Sequence, residues 1–147
     1  MSTEENKAVV RRWFDEVMTQ GNISTVDLIC MQCHPGFTVI NGIVDNPPPG
    51  MDGVKELVKL FRNAFPDMRF NIEEQIAEGN KVTTRMTIHG THHGDFMGIP
   101  ASGKPVSFSA ISIWEVADGK LLQERVNWDA LGALQQLGAI PTLGQAS

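Results

Sequence analysis

Apolar residues recur every three or four positions through the first 20 residues, which is the spacing of an amphipathic helix. Ser2 and Glu5 form a capping box at the start of this segment, and Gly21 marks its end. The sequence therefore predicts a first helix that ends at Gly21. The apolar positions of this helix are Val9, Val10, Trp13, Phe14, Val17 and Met18.

A second helix, a short strand and a third helix are predicted next. Ser24 with Asp27 indicates the start of a short helix, and residues 37–41 alternate in the manner of a strand. Residues 52–64 again have helical spacing, and Pro66 stops that helix because proline cannot continue the hydrogen-bond ladder. The predicted buried stripe of the third helix is Val54, Leu57, Val58 and Phe61.

The period of the pattern changes from helical spacing to two-residue alternation in the second half. Residues 68–72 and 82–88 alternate between apolar and polar, and Gly79-Asn80 between them is a turn signal. These segments predict a β-hairpin. A loop rich in glycine and proline, residues 94–104, then leads to a fourth strand.

The fourth strand contains a break in its alternation. Val106 and Phe108 occupy even positions, whereas Ile111 and Ile113 occupy odd ones. One inserted residue near Ser109–Ala110 would bring both pairs to the same face, so the pattern predicts a β-bulge there. A bulge bends a sheet, and a bent sheet can wrap a cavity.

The last third of the chain closes the predicted sheet. Asp118-Gly119 predicts a tight turn into a fifth strand at residues 121–128, and a short helix follows over 130–137. Helices come first and an antiparallel meander follows, which predicts a single α+β domain over residues 1–147, with the helices on one face of the sheet.

Composition and charge exclude several functions. The net charge is −5, and the 12 lysines and arginines are scattered, so a nucleic acid is not an expected partner. We find neither a run of about 20 apolar residues, as a membrane span requires, nor the apolar run of a secretory signal after MSTEENK. The sequence therefore predicts a cytoplasmic protein that has no membrane partner, in which the two cysteines are not expected to form a disulfide.

Four stretches carry a family resemblance. They are Phe-Pro-Asp at 65–67, GTHHGDFMGIPASGK at 90–104, Asp-Gly-Lys at 118–120 with Glu124 beyond it, and Asp129 followed by ALGALQQLG. In this order they resemble the SnoaL-like polyketide cyclase family of the nuclear-transport-factor-2-like fold. The resemblance implies a cone-shaped fold, in which N-terminal helices and a curved antiparallel sheet surround a deep pocket. It also implies a homodimer and chemistry that needs no cofactor.

The resemblance implies a role for Asp129. In the family's cyclases the matching aspartate is the acid/base of an intramolecular aldol closure, in which an enolate attacks a carbonyl of the same molecule. A carboxylate can remove a proton from carbon near neutral pH if an apolar pocket raises its pKa. Asp129 also directly precedes a helix, where aspartate is a favoured N-cap, so both interpretations stay open.

Two further residues are candidates for the predicted active site. His92 matches the histidine of the family's GTH motif, and Arg85 lies on the same predicted strand. Either could polarise a carbonyl or hold an oxyanion, but strand alternation places them on opposite faces. The chain departs from the cyclases because it has no histidine after His93, and Ile113–Glu115 occupy the late strand where they carry one. Tyrosine is absent throughout.

The predicted pocket suits a flat, hydrophobic small molecule. Large aromatic side chains give extensive apolar contact with few rotamers, although most apolar residues at such spacings are simply core. The candidate lining residues are Trp13, Phe14, Phe37, Asn41, Met97, Phe108, Trp114 and Trp128.

Two motifs suggest a metal or haem group but do not have the required setting. Residues 30–34 read CxxCH, the haem attachment pattern, yet that attachment follows export and no export signal is present. A thioredoxin-like role for Cys30 and Cys33 would need a βαβ setting that is missing, and any other redox role of this pair stays open. His89 and His93 share a strand face while His92 points away, so we predict no metal site.

Two alternatives to a cyclase remain open. Members of this fold also hydrolyse epoxides by activating water with an Asp–Arg–Asp set, in which Arg85 could serve. The pocket could also bind a small molecule without transforming it, as the missing late-strand histidine suggests.

Overall fold

The computed structural model describes residues 2–31, 38–40 and 50–141. Predictions for Phe37, Asn41 and Cys33 therefore lie outside the described residues.

The first helical segment begins as predicted but changes its geometry midway. Helix α1 spans Thr3–Arg12, and the hydroxyl of Ser2 accepts the amide of Glu5 at 3.1 Å. A π-helical segment, Trp13–Thr19, continues it where a regular α-helix is predicted. Gly21, with a φ of +72°, ends this part of the chain.

Two further helices complete the layer that covers the sheet. Helix α2 spans Ser24–Ile29, but the hydroxyl of Ser24 donates to the side chain of Asn22 and does not cap the helix. Helix α3 spans Gly50–Ala64, two residues longer at its start than predicted. Of its predicted stripe, Leu57 is partly buried, and the residues that are buried are Val54, Val58 and Phe61.

Five strands of the described part of the chain form one sheet. They are β1 (Thr38–Ile40), β2 (Arg69–Glu78), β3 (Lys81–Thr91), β4 (Pro105–Ala117) and β5 (Lys120–Trp128). Their order is β1-β5-β4-β3-β2, in which β1 runs parallel to β5 and the other neighbours are antiparallel. The predicted α+β architecture with a curved antiparallel sheet is confirmed.

The predicted bulge at Ser109–Ala110 is wrong. Strand β4 alternates without interruption, and its pairing with β3 is continuous through this region. Ile111 and Ile113 are 48% and 43% exposed on the outer face, whereas Ser112 is buried on the inner face. The apolar pattern misled because this strand carries isoleucines outward and a serine inward.

Irregular pairing occurs at two other places. The register shifts between Ile72 and Glu74 in β2, and between Glu115 and Val116 where β4 pairs with β5. Register shifts of this kind bend a strand and increase its twist.

The Phe-Pro-Asp and GTHHG stretches join the end of α3 to the end of β3. The carboxylate of Asp67 accepts the amide and the hydroxyl of Thr91, both at 2.7 Å, and the hydroxyl bond lowers the pKa of Asp67. The amides of His93 and Gly94 donate to the carbonyl of Ala64. A Cβ at Gly94 would collide with the neighbouring carbonyl of α3, so glycine permits this close approach.

Helix α4, Ala130–Gln136, docks against the unpaired end of β4. The side-chain amide of Gln136 donates to the carbonyl of Ser107 and accepts its N–H, both at 2.8 Å. Strand β5 ends at Trp128, opposite Ala110, so the glutamine satisfies backbone groups that β5 does not reach.

In the described residues, no helix combines the length and the apolar character that crossing a membrane demands.

Candidate active site

An apolar cavity lies between the helical layer and the inner face of the sheet. Its interior has room for a few water molecules, about 60 Å³. Among the described residues, Glu124 is the only charged side chain on its wall. The lining residues are Trp13, Phe14, Met18, Leu57, Phe61, Met68, Phe70, Met86, Ile88, Phe108, Glu124, Val126 and Trp128.

The π-helical segment contributes three of these lining residues. Trp13, Phe14 and Met18 line the cavity, and Val17 of the same segment is fully buried. A π-helix takes more residues for each turn than an α-helix, and such segments occur often at functional sites. The ring of Phe14 stacks on Phe70 of β2 with 5.5 Å between centroids, which fixes the segment against the sheet.

Glu124 lies in the middle of β5 with its side chain directed inward. Only 4% of the residue is exposed, and it shares the inner face of β5 with Val126 and Trp128. Burial disfavours the charged form and raises the pKa of Glu124 to about 8. Its Oε2 atom is buried and makes no hydrogen bond with the described residues, so its capacity to accept one is unused.

Two neighbours on β4 reduce the effect of burial. Ser112 and Trp114, whose polar atoms lie near the carboxyl group, lower the pKa of Glu124 by less than burial raises it. Trp114 is paired directly opposite Glu124 in the sheet, and both Ser112 and Trp114 are fully buried.

This arrangement can transfer protons on a buried, mostly apolar wall. A carboxyl group with a pKa near 8 gains and loses its proton close to neutral pH. The surrounding walls are aromatic and aliphatic, so a flat, hydrophobic ligand would contact Glu124 as its main polar partner.

Asp129 lies outside this cavity. Its exposed carboxylate accepts the amide of Gly132 at 2.9 Å and caps the N-terminus of α4. The capping interpretation therefore accounts for its position, and its role as acid/base stays a prediction.

His92 is fully buried but does not line the cavity. Its Nδ1 lies 2.9 Å from the hydroxyl of Ser102 and accepts the Ser102 amide at 3.3 Å. Backbone bonds also link His92 to Gly103 and Lys104. Within the described residues, these contacts hold the loop after β3 together rather than bringing the imidazole to Glu124.

Arg85 lies on the outer face of the sheet. Its Nε donates to Glu74 at 2.8 Å, and both side chains are about half exposed. Among the residues that the structure describes, the Asp–Arg–Asp set that the epoxide alternative requires is therefore not assembled around Arg85 in the cavity.

Some of the predicted pocket residues line the cavity, and others lie outside it. Trp13, Phe14, Phe108 and Trp128 line the cavity, and Trp114 is buried next to it. Met97 is 47% exposed and does not line it.

Phe96, which directly precedes Met97 in the GTHHGDFMG stretch, is buried. Its ring packs against Phe61, Phe65 and Trp128 with 5.1–6.2 Å between centroids. Phe96 therefore packs in the core, whereas Met97 lies on the surface.

Cys30, the first residue of the CxxCH string, is fully buried. Burial raises the pKa of the Cys30 thiol to about 12, which makes it a poor nucleophile. Among the described residues, no three histidine, cysteine or acidic side chains converge as a metal site would need.

Comparisons with known proteins agree with this architecture. A sequence profile described as SnoaL-like polyketide cyclase matches residues 8–137. An aklanonic acid methyl ester cyclase of Streptomyces peucetius, DnrD, is 35% identical over 119 residues, which are 80% of this chain and 82% of that protein.

Solved structures show the same fold. TsrD from Streptomyces laurentii superposes with a TM-score of 0.82 at 26% identity, covering 95% of this chain and 99% of that one. A SnoaL-like polyketide cyclase from Agrobacterium tumefaciens has a TM-score of 0.74 at 17% identity, covering 94% and 100%.

Proposed function

Since the chain belongs to the SnoaL-like polyketide cyclase family, we propose that it closes a ring in a polycarbonyl small molecule by intramolecular aldol chemistry, with Glu124 as the acid/base. The observation that carries this proposal is the buried carboxyl group of Glu124, which ionises near neutral pH on a cavity wall that is otherwise apolar among the described residues.

The reaction needs one group that removes a proton and returns it. The Glu124 carboxylate takes a proton from a carbon between two carbonyls, and the electron pair of that C–H bond forms an enolate. The enolate carbon attacks a second carbonyl of the same molecule, so one C–C bond forms and the C=O π bond breaks. The resulting alkoxide takes the proton back from Glu124, and the product is an isomer of the substrate.

The cavity supports this chemistry in two ways. The interior of about 60 Å³ must widen to admit a polycarbonyl chain, and walls closed around that chain would restrict its conformations and favour the intramolecular encounter. Burial also makes Glu124 a stronger base than an exposed glutamate, and the carbonyl groups of the substrate acidify the carbon.

Turnover of aklanonic acid methyl ester, which the Streptomyces relatives are named for, tests the proposal. We expect Glu124→Gln to lower kcat by about 10²- to 10⁴-fold, because it retains the shape and loses the base. Asp129→Asn should retain most of the activity, since the cap can still accept a hydrogen bond.

The results separate the two carboxylates. Undiminished turnover in Glu124→Gln together with a large loss in Asp129→Asn would assign the chemistry to Asp129 instead. If the unmodified protein did not turn over aklanonic acid methyl ester, this ester would not be its substrate.

The binding alternative keeps one specific observation in its favour. Trp114, which cannot exchange a proton as histidine does, lies opposite Glu124 on the late strand. Mass spectrometry of the protein incubated with aklanonic acid methyl ester would support binding alone if the ligand were recovered unaltered at stoichiometric levels.

A homodimer formed through the outer face of the sheet is also part of the proposal. Ile76, Ile111 and Ile113 are exposed there, beside the Arg85–Glu74 ion pair. The cytoplasmic location stays a prediction from the sequence.

A further inference from the structure

We propose that the side chain of Phe96 fills a ring-binding site beside the cavity, and that a flat ring of the substrate takes this site when the turn at residues 96–99 moves outward. This inference rests on the proposed function for the identity of the substrate, whereas the site itself belongs to the free protein.

The cavity is too small for the molecule that the proposed function requires. Its interior measures about 60 Å³, whereas sites for small organic molecules have volumes of roughly 300–1,000 Å³. A polycarbonyl chain long enough to close a ring on itself therefore needs space that a neighbouring side chain now occupies.

The turn at residues 96–99 is the segment that can provide this space at the lowest cost. Phe96 and Ile99 bond to each other through their backbones at 3.0 and 2.8 Å, and the turn makes no other backbone hydrogen bond with the described residues. The strands around the cavity are instead fixed by continuous ladders. The turn can therefore move as a unit without breaking a backbone hydrogen bond to the rest of the described chain.

The loop that carries the turn is anchored on both sides of it. The amide of Gly94 donates to the carbonyl of Ala64 at 3.1 Å, and the amide of Gly103 donates to the carbonyl of His92 at 2.8 Å. Between these anchors Phe96 is the one side chain that is fully buried. Outward movement of the turn therefore costs chiefly the burial of one aromatic ring.

Three aromatic rings surround the ring of Phe96. The distances between centroids are 5.1 Å to Phe65, 5.9 Å to Phe61 and 6.2 Å to Trp128. Phe61 and Trp128 also line the cavity, so the space that Phe96 fills adjoins it. Aromatic rings pack best in offset-stacked or edge-to-face arrangements, so these neighbours suit a planar, conjugated ring in place of Phe96.

A ligand ring that enters this site must compete with Phe96. The observed affinity is then reduced by the fraction of molecules in which the ring of Phe96 has moved out. Removing that ring should therefore make binding faster and tighter. Removing a wall residue that contacts the ligand would have the opposite effect, because favourable contacts would be lost.

Binding of 1,8-dihydroxyanthraquinone, a flat molecule with three fused rings and two carbonyl groups, tests the inference. Stopped-flow quenching of tryptophan fluorescence follows it, because Trp13 and Trp128 line the cavity. We expect Phe96→Ala to raise the association rate constant and to lower Kd by about tenfold each, since the competing ring is gone. Phe96→Leu, a milder change that protects the fold, should shift both quantities in the same direction by a smaller factor.

Two further variants control for effects other than the loss of the ring. Met97→Ala changes a side chain of the same turn that is 47% exposed. Val10→Ala loosens the buried core on α1 at a residue that does not line the cavity. Both variants should bind 1,8-dihydroxyanthraquinone at the rate of the unmodified protein.

Displacement of the ring can also be observed directly. When 4-fluorophenylalanine replaces Phe96, its ¹⁹F resonance should move on saturation with 1,8-dihydroxyanthraquinone towards the position that it has in urea-unfolded protein. A ring that stays packed among its three aromatic neighbours would keep its resonance.

The outcomes distinguish a displaced ring from a wall and from a loosened core. Unchanged or weaker binding in both Phe96 variants, or equal acceleration in Val10→Ala, would overturn the inference. So would a ¹⁹F resonance that does not move, or the absence of binding to every variant. Faster and tighter binding in Phe96→Ala, together with full turnover by Glu124→Gln, would overturn the proposed function and leave the ring-binding site intact.

Discussion

A glutamate on the inner face of a sheet is costly to the fold whenever it is ionised. Glu124 is 4% exposed, and its neighbours on the cavity wall are apolar. Ser112 and Trp114 on β4 offset only part of the effect of desolvation, since the pKa of Glu124 remains raised to about 8. Such a trade of stability against a reactive group is common at active sites.

The pH dependence of stability should expose this cost. In the unfolded chain Glu124 has its ordinary pKa of 4.5, whereas in the folded protein the pKa is about 8. Between these values the folded state binds the extra proton, so the free energy of unfolding falls as pH rises, by about 1.4 kcal/mol per pH unit. Urea denaturation should therefore show Glu124→Gln equal to the unmodified protein near pH 4.5 and more stable above pH 8, by on the order of 4 kcal/mol.

A matched variant separates this effect from a general change in net charge. Glu78→Gln removes the charge of an exposed glutamate on β2. A pH-dependent gain as large in Glu78→Gln as in Glu124→Gln would contradict the assignment of the effect to Glu124.

The sequence contained a signal for Glu124 that the resemblance obscured. Glu124, Val126 and Trp128 have the same parity in β5, which places the carboxyl group on the apolar face. The distinction between this residue and Asp129 required the burial of each, and a sequence pattern does not report burial. The N-cap interpretation of Asp129 did follow from its place before a helix.

At the scale of elements, the cavity depends on how the helical layer is attached to the sheet. The guanidinium of Arg62 on α3 donates to the carbonyls of Thr19 at 2.9 Å, Met68 at 3.0 Å and Pro66 at 2.6 Å. These bonds join the end of the π-helical segment, the end of α3 and the approach to β2. Met18 and Met68, at two of these junctions, line the cavity.

Replacing Arg62 with lysine should loosen this junction. Lysine retains the positive charge but cannot reach several carbonyls with a planar fork of donors. We expect Arg62→Lys to lower the free energy of unfolding by about 1–3 kcal/mol, measured by urea denaturation. Lys59→Gln, on the exposed side of the same helix, should change it by less than about 0.5 kcal/mol, and an equal loss in both variants would contradict the role of Arg62.

Turns were more predictable than irregularities within the elements. Asp118 and Gly119 both have positive φ, as a two-residue hairpin turn requires, and their sequence indicates that geometry directly. The π-helical segment has no such local signal because it depends on packing against the sheet. The bulge predicted in β4 was wrong because apolar residues do not report which face of a sheet is buried.

At the scale of the whole molecule, the sheet presents two different faces. The inner face lines the cavity. The outer face exposes isoleucines, whereas a sheet face in contact with water usually carries polar residues. Cross-strand pairing aligns Ile76, Thr83 and Ile113 in one row, and Glu74, Arg85 and Ile111 in the next. A patch with apolar residues and both signs of charge can complement a second copy of itself across a two-fold axis.

Charged substitutions on this outer face should separate the proposed dimer without unfolding the protomer. We expect sedimentation velocity to show a dimer for the unmodified protein and a monomer for the double variant Ile111→Lys/Ile113→Lys, because like charges would face each other across the axis. Both side chains are more than 40% exposed, so circular dichroism should remain unchanged. Leu28→Lys replaces an apolar residue that is 65% exposed on α2, away from the sheet, and should stay dimeric. A monomeric unmodified protein, or a double variant that remains dimeric, would show that this face is not the interface.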